Sequence, residues 1–171
     1  MGKVRATVYL TGFMGTGKSV VGRALARRLR RAFVDLDAEI ERAAGASVAE
    51  VFSRRGEAAF RRLERRALQK TARRGGLVVA LGGGALLDKR NAALVGRTGV
   101  LVKLSCSRRE LVRRLRPARA SRPLLSGGAL DSRVARLLAE RKGAHGDARE
   151  TVSTTRRSAA AAAALIARKL A

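Results

Sequence analysis

The sequence carries GFMGTGKS at residues 12–19, which satisfies the pattern GxxxxGK[ST]. A β-branched, largely apolar run precedes it at Val4–Thr11, and apolar residues recur at helical spacing from Val20 to Leu29. A glycine-rich loop between a strand and a helix can turn its backbone N–H groups toward an anion, and the N-terminal end of the helix dipole favours the same charge. We therefore predict a phosphate-binding loop rather than an ordinary glycine-rich turn.

Six residues of this loop and of the first helical turn are expected to bind a nucleotide: Gly15, Thr16, Gly17, Lys18, Ser19 and Val20. Lys18 would reach the β- and γ-phosphates, and the Ser19 hydroxyl would be a ligand of Mg²⁺. Val20 has no hydroxyl, so any contact it makes with the α-phosphate has to come from its backbone N–H. The loop alone is compatible with an ATPase, a GTPase or a kinase, although the sequence has no NKxD motif for a guanine base.

Further strands alternate with helices along the chain. The predicted strands are Ala32–Leu36, Leu77–Leu81, Val100–Leu104 and Thr151–Thr154. The predicted helices are Ala38–Ala44, Val48–Arg54, Glu57–Arg73, Asp88–Leu94, 107–115, Asp131–Arg141 and Ser158–Leu170, with capping boxes at Ser47/Glu50 and Ser107/Glu110. Two prolines and two glycines in 116–128 predict a mobile loop. The alternation predicts an α/β fold with a parallel sheet covered by helices on both faces.

Length and composition limit the remaining classes. A chain of 171 residues that is 46% hydrophobic fits one domain. Its net charge of +25 would allow nucleic-acid binding, but paired arginines recur on several predicted helices, and the aromatic content of 3% leaves no stacking platform. One cysteine and the lack of an apolar run of about 18 residues favour a cytoplasmic protein that does not cross a membrane.

Two aspartates follow the second predicted strand, where ligands bind in open parallel sheets. Asp35 and Asp37 stand two residues apart and would point the same way if both lay on the strand. One could then help to hold a metal while the other meets an acceptor hydroxyl. The alternative for Asp37 is that it only caps the following helix.

Three more features are candidates for ligand binding. Gly82–Gly84 follow a buried strand, and three consecutive glycines there indicate close backbone approach or positive φ. Arg61 shares a helix with Glu57 and Glu64, and the simple alternative is a surface pair with Glu57. Arg122 precedes a proline in the mobile loop, where it could move onto a transferring phosphate or be a solvated side chain.

Taken together, the motifs resemble those of the shikimate kinase family. They are GFMGTGKS, DLDAEIE, SVAEVFSRRGEAAFRRLE, LGGGA, RPLL and the Glu140-Arg141 helix end, in this order from about Leu10 to Arg141. The resemblance implies ATP-dependent, Mg²⁺-assisted phosphorylation of the 3-hydroxyl of shikimate in aromatic amino-acid biosynthesis. It also implies a monomer with the nucleoside-monophosphate-kinase type of fold, one domain over 1–171, and the strand order 2-3-1-4-5. The acceptor region would be about 37–64, and 116–128 would be the lid.

The resemblance assigns roles on the acceptor side of the site. Asp37 would meet the acceptor hydroxyl as a catalytic residue, and Arg61 and Arg141 would hold the shikimate carboxylate. Glu64 would orient Arg61. The backbone of Gly82, Gly83 and Gly84 would complete the substrate site.

On the nucleotide side, the resemblance makes Lys18 and the lid arginine Arg122 catalytic. Asp35 would touch Mg²⁺ through water, and Arg114 would lie near the phosphates. Arg157, in a loop at 154–157, is the best candidate to lie against adenine.

The sequence departs from the family pattern at three positions. Gly143 and His145 stand where the family usually has a proline and a tyrosine, and Ser153 replaces an aspartate of the last strand. His145 is interpreted as a loop residue rather than a base. The alternative functions are another small-molecule kinase, such as a gluconate kinase, and a non-catalytic basic binding protein on the same scaffold.

Overall fold

The protein is described by a computed structural model that covers residues 6–117, 125, 128–141 and 147–171. Within these residues, five strands form one parallel sheet in the order β2-β3-β1-β4-β5, as the resemblance implied. The strands are β1 (Thr7–Gly12), β2 (Phe33–Asp35), β3 (Val78–Ala80), β4 (Gly99–Ser105) and β5 (Glu150–Ser153).

Seven helices lie in the described part of the chain. They are α1 (Lys18–Leu29), α2 (Leu36–Ala44), α3 (Val48–Arg74), α4 (Lys89–Thr98), α5 (Arg108–Leu115), α6 (Leu130–Glu140) and α7 (Ala159–Leu170). A single 3₁₀ turn, Ala85–Leu87, links β3 to α4. None of the helices in these ranges is long and apolar enough to cross a membrane.

Helices cover both faces of the sheet. Along β1, Val8 and Leu10 pack with α1 and α7, whereas Tyr9 packs in a second core formed with α2, α3 and α4. Every residue of β1 is buried, which is the pattern of a central strand in a sheet with two covered faces. A third core, built from α5 and α6, includes Phe13 of the phosphate loop. The α5–α6 layer is thereby packed directly against the loop.

The long helix α3 contains the break that its sequence predicts. Gly56 has φ +74° and ψ 171°, which is outside helical geometry, so α3 consists of two helical parts joined at this residue. Its N-terminus at Ser47 has the predicted capping box, in which Ser47 and Glu50 exchange hydrogen bonds. Helix α4 is longer than predicted, since it continues past Leu94 to Thr98, whose Oγ1 donates to the Leu94 carbonyl at 2.7 Å.

One predicted helix start is wrong, and one predicted capping box forms only in part. Helix α2 begins at Leu36 with Asp35 as its N-cap, so Asp37 lies in the first turn of the helix and neither caps it nor lies on the strand. At Ser107 only half of a capping box forms. Its hydroxyl accepts from Glu110 N–H, but its own N–H donates to Thr155 Oγ1 at 2.9 Å. The Glu110 carboxylate binds arginines instead.

Candidate active site

The phosphate loop connects β1 to α1 in a conformation that requires glycine. Gly12, Gly15 and Gly17 have φ of +145°, +82° and +91°, which side chains on L-residues rarely allow. At Gly12 a Cβ would also lie only 2.4 Å from the carbonyl oxygen of Leu104. Gly17 is the N-cap of α1 and has no side chain to occupy the first N–H groups of that helix. The loop thus leaves backbone donors for an anion.

Side chains of the loop hold it closed. Thr16 Oγ1 and Thr16 N–H both donate to the Phe13 carbonyl, at 2.7 and 3.2 Å. Lys18 Nζ donates to the Gly12 carbonyl at 2.8 Å and to that of Phe13 at 3.3 Å. The Lys18 ammonium therefore lies within the loop itself, where it can meet phosphate oxygens.

One carboxylate joins the loop to α2. Ser19 Oγ donates to Asp35 Oδ2 at 2.6 Å, and Asp35 Oδ1 accepts from Asp37 N–H at 3.2 Å. A hydroxyl and a carboxylate in contact are hard oxygen ligands, and they fit Mg²⁺, which usually takes one or two protein ligands together with phosphates and water. The described residues contain no group of three or more His, Cys, Asp or Glu side chains that could hold a metal ion.

The glycine-rich strip, residues Gly82–Gly84, begins beside two carboxylates. A Cβ on Gly82 would lie 2.9 Å from Glu64 Oε1 and 3.0 Å from Asp37 Oδ1. None of the residues of the strip is among the glycines with positive φ. Close approach to charged side chains, and not a special φ, is therefore the reason for glycine here.

The same strip continues past two arginines. A Cβ on Gly83 would lie 2.9 Å from Arg141 Nη1, and one on Gly84 would lie 2.8 Å from Arg61 Nη2. Arg141 lies directly after α6, with its guanidinium carbon 5.9 Å from the centre of the Phe13 ring. Burial lowers the pKa of Arg141, and the neighbouring Arg61 charge lowers it further. Two guanidiniums brought this close favour an anion between them.

Arg61 is fixed by two glutamates. Its Nη1 donates to Glu64 Oε2 at 2.8 Å, and its Nη2 donates to Glu57 Oε1 at 3.2 Å. The surface pair with Glu57 therefore exists, but a buried partner accompanies it. Glu64 is only 1% exposed and its Oε1 has no hydrogen-bond partner among the described residues. Burial raises the pKa of Glu64 even though the Arg61 charge opposes this shift.

On the other side of the phosphate loop, Arg114 connects three segments. Its Nη2 donates to the Thr154 carbonyl at 2.8 Å, its Nη1 to the Gly15 carbonyl at 3.3 Å, and its Nε to Glu110 Oε1 at 2.8 Å. The buried Thr154 hydroxyl donates to the Thr16 carbonyl at 2.9 Å. The loop after β5 is thereby attached to the phosphate loop.

Comparisons with known proteins decide the family. A family model described as shikimate kinase matches residues 14–171. The chain belongs to the shikimate kinase family. A shikimate kinase of Geobacter metallireducens is 44% identical over 151 residues, which cover 88% of this chain and 84% of that protein. The solved structure of Acinetobacter baumannii shikimate kinase in complex with shikimate has a TM-score of 0.90 at 34% identity, covering 97% of this chain and 93% of that one.

The rival kinase is much less similar. A gluconokinase from Sinorhizobium meliloti has a TM-score of 0.54 at 17% identity, with 98% of this chain and 97% of that chain covered, which shows a shared fold alone. The prediction that the chain is a kinase of the shikimate kinase family is confirmed.

Most residues that the sequence singled out converge on this shikimate kinase site. Asp37, Arg61, Glu64 and Arg141 line the glycine strip, and Lys18, Ser19, Asp35 and Arg114 surround the phosphate loop. Arg157 is exposed, with Nη1 donating to the Ser153 carbonyl at 2.8 Å. The Val20 side chain is 55% exposed, so it is not part of the core. Arg122, Gly143 and His145 lie outside the described residues.

Sequence reasoning missed two contacts that support the site. The sequence predicts for Glu110 only a place in a capping box, yet its carboxylate binds Arg113 and Arg114, which lower its pKa to about 2. Its spacing of four residues from Arg114 on a predicted helix was the available signal. Thr154 gave none, because its partners are remote in sequence.

Proposed function

We propose that this protein transfers the γ-phosphoryl group of ATP to the 3-hydroxyl of shikimate, giving shikimate 3-phosphate and ADP. One observation carries the proposal: Arg61 and Arg141 stand beside Asp37 along a single glycine strip. Two converging cations match the carboxylate of the acceptor, and a nearby carboxylate oxygen matches its hydroxyl. The shikimate-bound relative at 34% identity supports this choice of acceptor.

The nucleotide would bind at the phosphate loop. The backbone N–H groups of Gly15–Ser19 would hold the phosphates, and Lys18 would neutralise developing charge on the transferring group. Ser19 and Asp35 would hold Mg²⁺, which would offset the negative charge of the phosphates. Arg114 would contact the phosphates while it keeps the loop after β5 in place, and Arg157 would lie against adenine.

The acceptor would be oriented by its carboxylate. Arg61 and Arg141 would bind that carboxylate, and the N–H groups of the glycine strip would add hydrogen bonds to it. Glu64 binds Nη1 of the Arg61 guanidinium and Glu57 binds its Nε and Nη2, so the direction in which Arg61 presents its remaining N–H bonds is fixed. The ring would thereby be placed with its 3-hydroxyl at Asp37.

Asp37 would align the hydroxyl and take its proton late in the reaction. Phosphoryl transfer passes through a loose transition state, so alignment is worth more than basicity. Arg122 of the lid segment would add positive charge to the transferring group, as an Arg in that role commonly does in this chemistry. The whole chain would act as one catalytic domain, as a monomer in the cytoplasm, with no nucleic-acid or membrane partner.

A panel of acceptors tests the proposal. ADP release is measured with shikimate, gluconate and nucleoside monophosphates at equal ATP and Mg²⁺ concentrations. ADP release with shikimate, and with none of the other acceptors, supports the proposed reaction. Turnover with another acceptor while shikimate stays inert would refute it, and tight DNA binding at physiological salt without phosphoryl transfer would favour the basic binding protein.

A further inference from the structure

A second charged contact joins α3 to the chain that follows the glycine strip. Arg65 Nε donates to Asp88 Oδ2 at 3.1 Å, and Arg65 Nη2 binds the same oxygen. Both side chains are partly buried, with 27% and 19% of their surfaces exposed. Arg65 follows Glu64 directly and lies one helical turn after Arg61. The pair therefore connects the helix that carries two acceptor-site residues to the end of the segment that they contact.

The segment at 85–88 is itself held firmly. Asp88 Oδ1 accepts from Arg90 N–H at 2.9 Å and caps α4. Asn91, which is 1% exposed, donates from Nδ2 to the Ala85 carbonyl at 3.0 Å. Residues 82–88 form one short segment whose end is bound to α4. A contact between α3 and Asp88 therefore also fixes the position of α3 relative to the glycine strip.

The distances along the strip leave little freedom. There is no room for a Cβ between Gly84 and Arg61 Nη2, or between Gly82 and Glu64 Oε1, since each would approach within 3 Å. A movement of α3 relative to the strip would therefore change the direction of the Arg61 guanidinium. Charged hydrogen bonds to a carboxylate are sensitive to such changes in direction.

We propose that Arg65 and Asp88 are positioning residues of the acceptor site, which hold α3 at the distance from the glycine strip that aims Arg61 at the substrate carboxylate. This inference rests on the proposed phosphorylation of shikimate. Hydrogen bonds from the Arg65 side chain and from the Arg90 N–H lower the pKa of the Asp88 carboxylate to about 2.

Arg90 offers a matched control. Its Nε contacts the same carboxylate at 3.4 Å, but it is 74% exposed and belongs to α4, so it does not connect α4 to α3. Arg65→Gln and Arg90→Gln thus remove one guanidinium each from the same aspartate. Asp88→Asn removes the charge and keeps an N-cap side chain, because Asn caps helices as well as Asp does.

The experiment measures kcat, the KM of shikimate, the KM of ATP and the thermal midpoint for these three variants and for the Arg65→Gln/Asp88→Asn double variant. We expect Arg65→Gln and Asp88→Asn each to raise the shikimate KM roughly three- to tenfold. A change of this size corresponds to the interaction energies that are usual between residues in contact. The ATP KM should stay within about twofold of the wild-type value in every variant, and Arg90→Gln should have the wild-type shikimate KM. The double variant should raise the shikimate KM no more than a single variant does, because both substitutions break the same contact.

Three results would overturn the inference: a lowered thermal midpoint with an unchanged shikimate KM, an equal rise of both KM values, or the same effect from Arg90→Gln. If Arg65→Gln does not fold, Asp88→Asn with the Arg90→Gln control decides. A wild-type protein that leaves shikimate unphosphorylated refutes the proposed function first and removes the basis of the inference. An active wild type with unaffected variants refutes the inference alone.

Discussion

Replacing Gly82 by alanine should slow catalysis without unfolding the protein. Its φ lies outside the left-handed region, so alanine adds no backbone strain. The new methyl group would lie 2.9 Å from Glu64 Oε1 and 3.0 Å from Asp37 Oδ1, whereas ordinary contact begins at 3.4 Å. The carboxylates would have to move by roughly half an ångström, and a misplacement of about 1 Å can cost about a hundredfold in rate. We therefore expect kcat to fall by about tenfold.

The assay is coupled ADP release at varied shikimate, together with urea unfolding. Gly96→Ala is the matched control, because it lies in α4 and a Cβ there would have nothing within 4 Å. Alanine in a helix interior is more favourable than glycine, so this control should gain about 0.5–1 kcal/mol of stability at unchanged kcat. Full turnover of Gly82→Ala at the wild-type shikimate KM would refute the close approach of Gly82 and Asp37.

Three further variants test the site. Asp37→Asn should bind both substrates and keep its thermal midpoint, since Asp35 caps α2. Its kcat should fall about a hundredfold, and a nearly wild-type kcat would show that Asp37 is not part of the site. Arg141→Ala should weaken shikimate binding in calorimetry by about 2 kcal/mol or more while ATP binding is kept, and equal affinity would exclude a carboxylate contact. Glu64→Gln should unfold at higher urea than wild type at pH 8. In the folded protein the pKa of Glu64 is raised above the ordinary value of 4.5. The free energy of unfolding of the wild type therefore falls as pH rises from 4.5 through the folded-state pKa, whereas that of the Gln variant lacks this contribution. The unfolding midpoints of the two proteins should become equal as pH is lowered toward 4.5. A Gln variant that is less stable at pH 8 would show that the Arg61 ion pair outweighs burial.

The phosphate loop and the alternation of strands and helices are predictable because their signals are local. GxxxxGK[ST] between a strand and a helix specifies its own backbone, and the φ values of Gly15 and Gly17 agree with it. The glycine strip was also recognisable, although the sequence left open whether close approach or positive φ required it. The structure shows that close approach is the reason, because four charged side chains lie against the positions that a Cβ on these glycines would occupy.

Contacts between remote segments are what the sequence does not reveal. Ser107 and Glu110 have the spacing of a capping box, but Thr155 occupies the Ser107 N–H and two arginines occupy Glu110. A local pattern cannot anticipate competition from a residue 48 positions away. The Arg65–Asp88 contact could not be predicted from the sequence for the same reason, since the two residues are 23 positions apart.

The many arginines raise a related difficulty, because 31 residues of one type hide the few that are proposed to bind a ligand. Burial separates them. Arg61 and Arg114 are 28% and 23% exposed and touch several polar groups, whereas Arg42 and Arg90, in simple surface pairs, are 71% and 74% exposed. Burying a guanidinium costs free energy that a surface pair does not repay, so partly buried arginines need a structural or ligand-binding reason.

The stretch Asp35-Leu36-Asp37 shows how tertiary contacts choose between residues that are locally equivalent. Either aspartate could cap α2 by propensity alone. Leu36 is fully buried, which fixes the start of the helix, and Ser19 binds Asp35 and so holds that carboxylate at the phosphate loop. With one oxygen on Ser19 and the other on the Asp37 N–H, Asp35 sets the position of Asp37 relative to the loop. The group proposed to receive the proton is thus located by the same carboxylate that is proposed to serve the metal, which explains why two aspartates stand here with one buried leucine between them.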